Sequence, residues 1–137
     1  MLTRAEITIY NRYPDKEKKE FVWRPARIRG VHFYTDQKTV LDAGTGNITS
    51  ADVYKIRVYP DSDTEGREYI DQKEYRQLSA EEVDGYWTLD SETVFVRGLT
   101  DCPCAELTGK FQYVGKVDSF SDNRDGPVPH IRIGGSA

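Results

Sequence analysis

The chain is written in short runs that alternate polar and apolar residues, each cut off by Gly, Pro, Asp or Asn. The clearest is Asp52-Val53-Tyr54-Lys55-Ile56-Arg57-Val58-Tyr59, which puts Tyr54, Ile56 and Val58 on one face and Lys55 and Arg57 on the other. A period of two is the signature of a half-buried strand. Pro60 ends the run. Ala5 to Asn11 alternates in the same way, and Tyr13-Pro14-Asp15 then opens a turn. Residues 16–20 are a mixed charge run and read as a solvated hairpin tip. Phe21-Val22-Trp23-Arg24 starts a second strand, which Pro25 bends or confines to an edge because proline donates no ladder hydrogen bond. Ala26 to Arg29 resumes the alternation, and Gly30 shifts its phase before Val31 and Phe33, which predicts a bulge or barrel corner.

The second half repeats the style. Thr39-Val40-Leu41 reads as a short strand, followed by a loop at residues 42–47. Residues 61–67 are acidic, contain a glycine and read as a mobile loop. Asp71 precedes Glu74 by three residues, the spacing of a helix-capping box, and Ser79 reads as the cap of a further turn. Two short helical turns follow from them, the second ended by Gly85. Trp87-Thr88-Leu89 and Thr93 to Gly98 read as strands joined by a turn at Asp90-Ser91-Glu92. Phe111 to Phe120 and His130 to Ile133 form a hairpin-like pair across the turn-rich residues 121–129, with Gly134-Gly135 as its stop. Seven or eight short strands, one or two short helical turns and no internal repeat predict one all-β domain over residues 1–137, a small barrel or sandwich.

Composition narrows the function classes. The formal charge is −4, from 19 basic and 23 acidic residues, the opposite balance to a nucleic-acid binder. No apolar run reaches 18 residues, so no membrane span is expected. Met1-Leu2-Thr3-Arg4-Ala5-Glu6 lacks the apolar core of a signal peptide, which predicts action in the cytoplasm where the chain is made or in an assembly built there. Cys102 and Cys104 are too close for a relaxed disulfide and read as two partly buried thiols in a loop. The Gly-x-Gly at Gly44 and Gly46 lacks the rest of a nucleotide fingerprint.

Nothing marks a catalytic residue, a cofactor or a metal site, so the reading is not an enzyme. His32 and His130 are the only histidines. An enzyme would need a pocket where one of them meets carboxylates; Asp122 or Asp125 with both histidines is the corresponding metal alternative. Tyr10, Tyr13, Tyr34, Tyr54, Tyr59 and Tyr113 would suit either a stacking platform or subunit contacts. Arg24, Arg27, Arg29, Lys55 and Arg57 give the middle strands a basic stripe, which is a solvated or intersubunit face if paired with acids and a docking patch if not.

Three fragments carry a resemblance: Ala5-Glu6-Ile7-Thr8-Ile9-Tyr10-Asn11-Arg12-Tyr13, then Ile28-Arg29-Gly30-Val31-His32-Phe33, then Ser121-Asp122-Asn123-Arg124 with Pro129-His130-Ile131-Arg132-Ile133-Gly134-Gly135. Ser50-Ala51-Asp52-Val53-Tyr54 and Val94-Phe95-Val96-Arg97-Gly98 add to it. In this order they resemble the small proteins of head–tail gene clusters in tailed phages and prophages of Gram-positive bacteria, the minor capsid, head-closure or head–tail connector proteins. The resemblance implies a β-barrel structural subunit in a homo-oligomeric ring at the head–tail neck. Its partners would be the portal or adaptor ring and the tail proteins, with double-stranded DNA passing through transiently and without sequence recognition. The implied location is the virion, assembled in the host cytoplasm, with no membrane partner.

The family docks through loops and termini. The corresponding candidates here are Lys16, Lys18 and Lys19, then Asp61, Asp63, Glu65 and Arg67, then Asp122, Asn123, Arg124 and Asp125. Candidate subunit contacts are Arg27, Arg29, Lys55, Arg57 and Tyr59. A tail-terminator or tail-tube-end protein would share this composition. A small β-barrel module binding peptide or glycan through its tyrosines is the alternative from another class.

Overall fold

The structure is a computed structural model that describes residues 4–15, 17, 19–41, 48–111 and 113–136. Lys16, Lys18 and the Gly-x-Gly loop lie outside the described residues. In chain order the elements are β1 (Ala5–Asp15), β2 (Glu20–Leu41), β3 (Ile48–Val58), β4 (Glu68–Tyr69), α1 (Gln72–Gln77), β5 (Tyr86–Trp87), β6 (Val94–Arg97), α2 (Leu107–Lys110), β7 (Val114–Asp122) and β8 (Ile131–Ser136). Short 3-10 turns at Val83–Gly85 and Cys104–Glu106 lead into β5 and α2. Six strands close an antiparallel barrel in the order β1-β2-β3-β8-β7-β6, with β6 returning to β1. The fold is therefore all-β, as the alternation predicts. β4 and β5 form a separate two-stranded parallel sheet.

Inward-facing residues alternate with outward-facing ones along each barrel strand, and in a barrel this small they fill the interior. Ile7, Ile9, Ile28, Ile56 and Phe95 are wholly buried, with Val31, Phe33, Tyr54 and Ile133 beside them. Trp87 and Leu89 join this core from outside the barrel wall. Asn11 holds their segment: its buried side-chain amide donates to the Thr88 carbonyl at 2.6 Å and accepts from the Thr88 N–H at 3.1 Å. In effect one side chain substitutes for a strand partner. Elsewhere α1 lays Tyr75 edge-on against Tyr13 at 6.0 Å, covering the end of the β1–β2 hairpin.

Four sequence readings change. The separate strand expected at Thr39 to Leu41 is the end of β2, one strand of 22 residues. Its first part pairs with β1 and its second, from His32, with β3. The phase shift at Gly30 does mark a bulge: Ala5 pairs with Val31 and Glu6 with Arg29, leaving Gly30 (φ 78°) as the extra residue. The edge position read at Pro25 is found, within a strand that continues through it. Pro25 lies opposite Tyr10, in a stretch of β2 that pairs with β1 alone, so its missing N–H faces no ladder. Trp87-Thr88-Leu89 contributes only Trp87 to a strand, because Asn11 takes the Thr88 backbone groups.

The other two changes are at Gly134-Gly135 and in the loop 61–67. Gly134-Gly135 does not stop β8, which runs through both to Ser136. Both glycines are buried. A Cβ at Gly135 would press into the Phe95 ring and come within 2.6 Å of the Lys116 carbonyl, and one at Gly115 would lie 2.6 Å from the same ring. The glycines are there because an aromatic ring occupies the place of their side chains. The loop 61–67, expected to be mobile, is instead bonded to β2: Arg29 and Asp63 exchange backbone hydrogen bonds of 2.8 and 2.9 Å. The Ser62 hydroxyl also donates to the Gly30 carbonyl at 2.9 Å. Ser79 caps the turn that follows it: its hydroxyl accepts from the Glu82 N–H at 3.3 Å and donates to the Glu82 carboxylate at 2.9 Å.

Gly135→Ala should lower unfolding free energy by about 1–3 kcal/mol through overpacking, whereas Gly109→Ala, with open space around it, should be neutral or slightly stabilising. Denaturant melts of both variants check this; equal stability would contradict the packing. A second expectation concerns Tyr10, whose hydroxyl donates to the Cys102 carbonyl at 2.6 Å. Burial pushes its phenol up from 10.0 to about 12. The folded state thus holds this proton more tightly, so the contribution is complete below the ordinary value and is lost as pH rises toward the folded one. Tyr10→Phe should cost about 1 kcal/mol at neutral pH and flatten the alkaline fall in stability. Melts across that range that give the same slope for both proteins would contradict the assignment.

Candidate functional site

Lys19 stands apart in the β1–β2 turn, at φ 55°, and the other described candidate residues fall into three surface regions rather than one cleft. The first is the loop 61–67 against β2. Glu65, held at φ 56° and followed by Gly66 at φ 81°, turns its carboxylate back onto the barrel. It accepts from Arg27 at 3.0 Å and Arg29 at 3.2 Å and lies 3.8 Å from Arg67. Asp63 faces Arg29 at 3.7 Å, and Asp61 pairs with Arg4 at 2.8 Å. The Arg4 bond holds the Asp61 carboxyl below its usual range. Much of the loop's acidity is therefore matched within the chain, and Arg27 and Arg29, read as a basic stripe, carry their own counter-charges. Arg24 is likewise paired, to Asp84 at 2.6 Å. Tyr59 lies under the Arg4 guanidinium, 5.3 Å from its centre.

The second region is the β7–β8 turn. Arg124 is bidentate to Asp122, at 2.8 and 2.7 Å, and this bond holds the Asp122 carboxyl low. The same guanidinium sits 5.1 Å from the Tyr69 ring centre. Asn123 exchanges backbone hydrogen bonds with His130, closing the turn, and Asp125 is exposed at its tip. His130 Nδ1 lies 2.7 Å from the Val128 carbonyl, which can only accept, and Nε2 lies 3.4 Å from the Asn123 side-chain nitrogen. A cavity of about 340 Å³ opens beside it, floored by Trp87, Tyr69 and Val58 and edged by Arg67 and Arg124. Glu68 also lines it, but no hydrogen bond among the described residues joins that carboxylate to His130.

The third region was only half legible. Arg57 pairs across β3 and β8 with Arg132, and across β3 and β2 with His32. Two arginines directly opposite each other repel. Neither has an acidic partner among the described residues; Arg132 donates only to the Ser121 hydroxyl at 3.3 Å. Lys55 stands on the next rung with its ammonium 5.8 Å from the Tyr34 ring centre. The stripe predicted from Arg24, Arg27, Arg29, Lys55 and Arg57 is thus split: Arg24, Arg27 and Arg29 are paired with acids, whereas Arg57 gains Arg132 and His32 as neighbours. Both residues sit at polar phases of alternating runs, but only the register puts them beside Arg57.

The tyrosines do not form one platform. Tyr10, Tyr13 and Tyr54 are core residues, and Tyr34, Tyr59 and Tyr113 are dispersed among separate contacts. Among the described residues no group of three or more His, Cys, Asp or Glu side chains could hold a metal ion. Cys102 lies in a loop, but Cys104 opens the 3-10 turn before α2; both are half-buried free thiols, and burial pushes the Cys104 thiol up. No described helix is long and apolar enough to cross a membrane. Phe21, Trp23, Phe120 and Val128 remain exposed.

Glu65→Ala should remove the shared acceptor of Arg27 and Arg29. The expected loss is about 0.5–1 kcal/mol, since these pairs are solvated, together with faster amide exchange at Asp63. Unchanged exchange there would mean that the backbone bridge alone holds the loop.

No curated protein and no solved structure matches the chain. A family model described as "Family of unknown function (DUF6751)" matches residues 2–136, and the chain belongs to that family.

Proposed function

We propose that the chain is a structural subunit that assembles with copies of itself into a ring, and that the ring joins head to tail in a tailed-phage particle. The observation that carries this reading is the outer end of β2 and β3. β8 pairs with β3 only from Val53 to Val58. Residues 37–41 and 48–52 therefore pair with each other beyond the barrel wall, from Gln37–Asp52 out to Leu41–Ile48. A lone two-stranded ribbon is marginal in water and presents two open edges. A neighbouring subunit that covers the ribbon would remove both weaknesses.

Three further features support assembly. Phe21 and Trp23 lie two residues apart on β2 and stay exposed at 50% and 39%. Arg57 and Arg132 form a like-charged pair that an acidic neighbour would relieve. The resemblance to head–tail connector proteins supplies the setting. A closed barrel suits such a place because it resists deformation while its projections make the contacts. The loop 61–67 contributes little as an acidic channel lining, since Asp61, Asp63 and Glu65 face arginines of their own chain.

The test disrupts the gene in the genetic element that carries it and images the particles by electron microscopy. DNA-filled heads without tails are expected. Complementation by a chain whose residues 37–51 are replaced with an Asn-Gly turn should leave that defect in place, while circular dichroism shows a folded barrel. Intact tailed particles from the disrupted element would refute the proposal, as would full rescue by the shortened chain.

A further inference from the structure

β4 and the far half of β7 line the two sides of one slot of about 460 Å³, with Tyr69 and Ile70 on one side and Phe120, Ser121 and Asp122 on the other. That size falls within the range of ligand clefts, about 300–1,000 Å³. Both sides are open strand edges. β7 pairs with β6 only from Val114 to Lys116, and beyond Val117 it pairs with β8 alone. Asn123 and His130 exchange backbone hydrogen bonds in both directions. Antiparallel pairs alternate between bonded and non-bonded, so the next mutually bonded pair inward is Ser121 with Arg132. Phe120 and Asp122 then turn their N–H and carbonyl groups away from β8. On β4, the Ile70 N–H donates to the Trp87 carbonyl at 3.0 Å. In a parallel pair the preceding residue faces the other way, so the backbone of Tyr69 points away from β5. No turn, loop or cap hydrogen bond among the described residues takes up these backbone groups of Tyr69, Phe120 or Asp122.

We infer that this slot accepts an extended, basic segment of a partner protein by β-strand addition. The mode follows from the two open edges, since main-chain hydrogen bonds supply affinity and alternate side chains supply selection. The occupant's charge follows from the walls. Glu68, Asp71 and Glu74 line the slot, and none has a cationic side-chain partner among the described residues. Asp122 is already neutralised by Arg124. Phe120, exposed at 40%, and Ile70 provide apolar ground between the charges. A segment alternating lysine or arginine with apolar residues meets both demands. Arg124, lying over Tyr69, also lines the slot. The inference does not depend on the ring reading, because it uses a different part of the barrel.

The test titrates the full chain into a fluorescein-labelled peptide of alternating lysine and valine, with the glutamate–valine peptide as control. Saturable binding of the first alone is expected, with slower amide exchange at Phe120 and Asp122 in the complex. Phe120→Pro removes an N–H that faces the slot and leaves the β7–β8 ladder intact, as edge positions allow. It should weaken binding at least about tenfold. Should that variant fail to fold, the exposed pair Glu68→Lys and Glu74→Lys decides instead, with loss of the lysine peptide expected. The inference is overturned by absence of saturable binding at about 1 mM peptide. It is also overturned by affinity that neither variant changes, or by binding without added protection at Phe120 and Asp122. Tailless particles in the disruption experiment would not depend on any of these outcomes.

Discussion

The barrel closes around one ring. Phe95 on β6 stands opposite Gly115 on β7, and the same ring fills the space a side chain at Gly135 on β8 would need. Bare backbone on two neighbouring strands lets them curve inward onto an aromatic face, which restores the apolar contact that glycine gives up. Tyr54 and Phe33 meet the ring edge-on at 5.6 and 6.4 Å, so the seam extends across the interior to β3 and β2. The aliphatic residues of β1 and β2 complete the core, with Ile9 directly across the β1–β6 ladder from Phe95. Every exposed feature described above is displayed by this closure, because the register around the barrel decides which polar residues become neighbours.

Much of the fold was legible in the alternation. Tyr54, Ile56 and Val58 are buried, and Arg57 is exposed, as a period of two requires. Gly30 announced its bulge by shifting the phase of the apolar residues, a signal contained in the local sequence. Gly134-Gly135 misled for a physical reason: a glycine pair ends a strand when nothing replaces its side chains, and here Phe95, some 40 positions away by sequence number, replaces one. The loop 61–67 misled in a related way. Its acidic composition suggests solvation, but the matching arginines lie on β2 and, for Arg4, just before β1, and only the folded register brings them within ion-pair distance.

The candidate surfaces were less legible because they are properties of pairs. Arg57 could be identified as exposed from its own run, but its repulsive partner Arg132 comes from the last strand. The slot beside Phe120 depends on which backbone groups lack a partner, and that follows from where β6 stops pairing with β7. Local alternation does not encode the length of a ladder. Charge shows the same logic. The chain is acidic in total, yet its acids are unevenly matched: Asp61, Asp63 and Glu65 face arginines, while Glu68, Asp71 and Glu74 face none among the described residues. Uneven matching on a rigid scaffold gives separate faces of opposite sign, the arrangement that lets one small body address different neighbours.

The continuity of β2 has a mechanical consequence. One covalent backbone runs from the β1 hairpin, past the bulge at Gly30, and into the projecting ribbon. Tension applied at the ribbon and directed along it reaches the β1 ladder lengthwise. Those hydrogen bonds then resist together in shear, whereas a sideways pull would peel them one after another. The barrel is stiff along one axis and yielding across it.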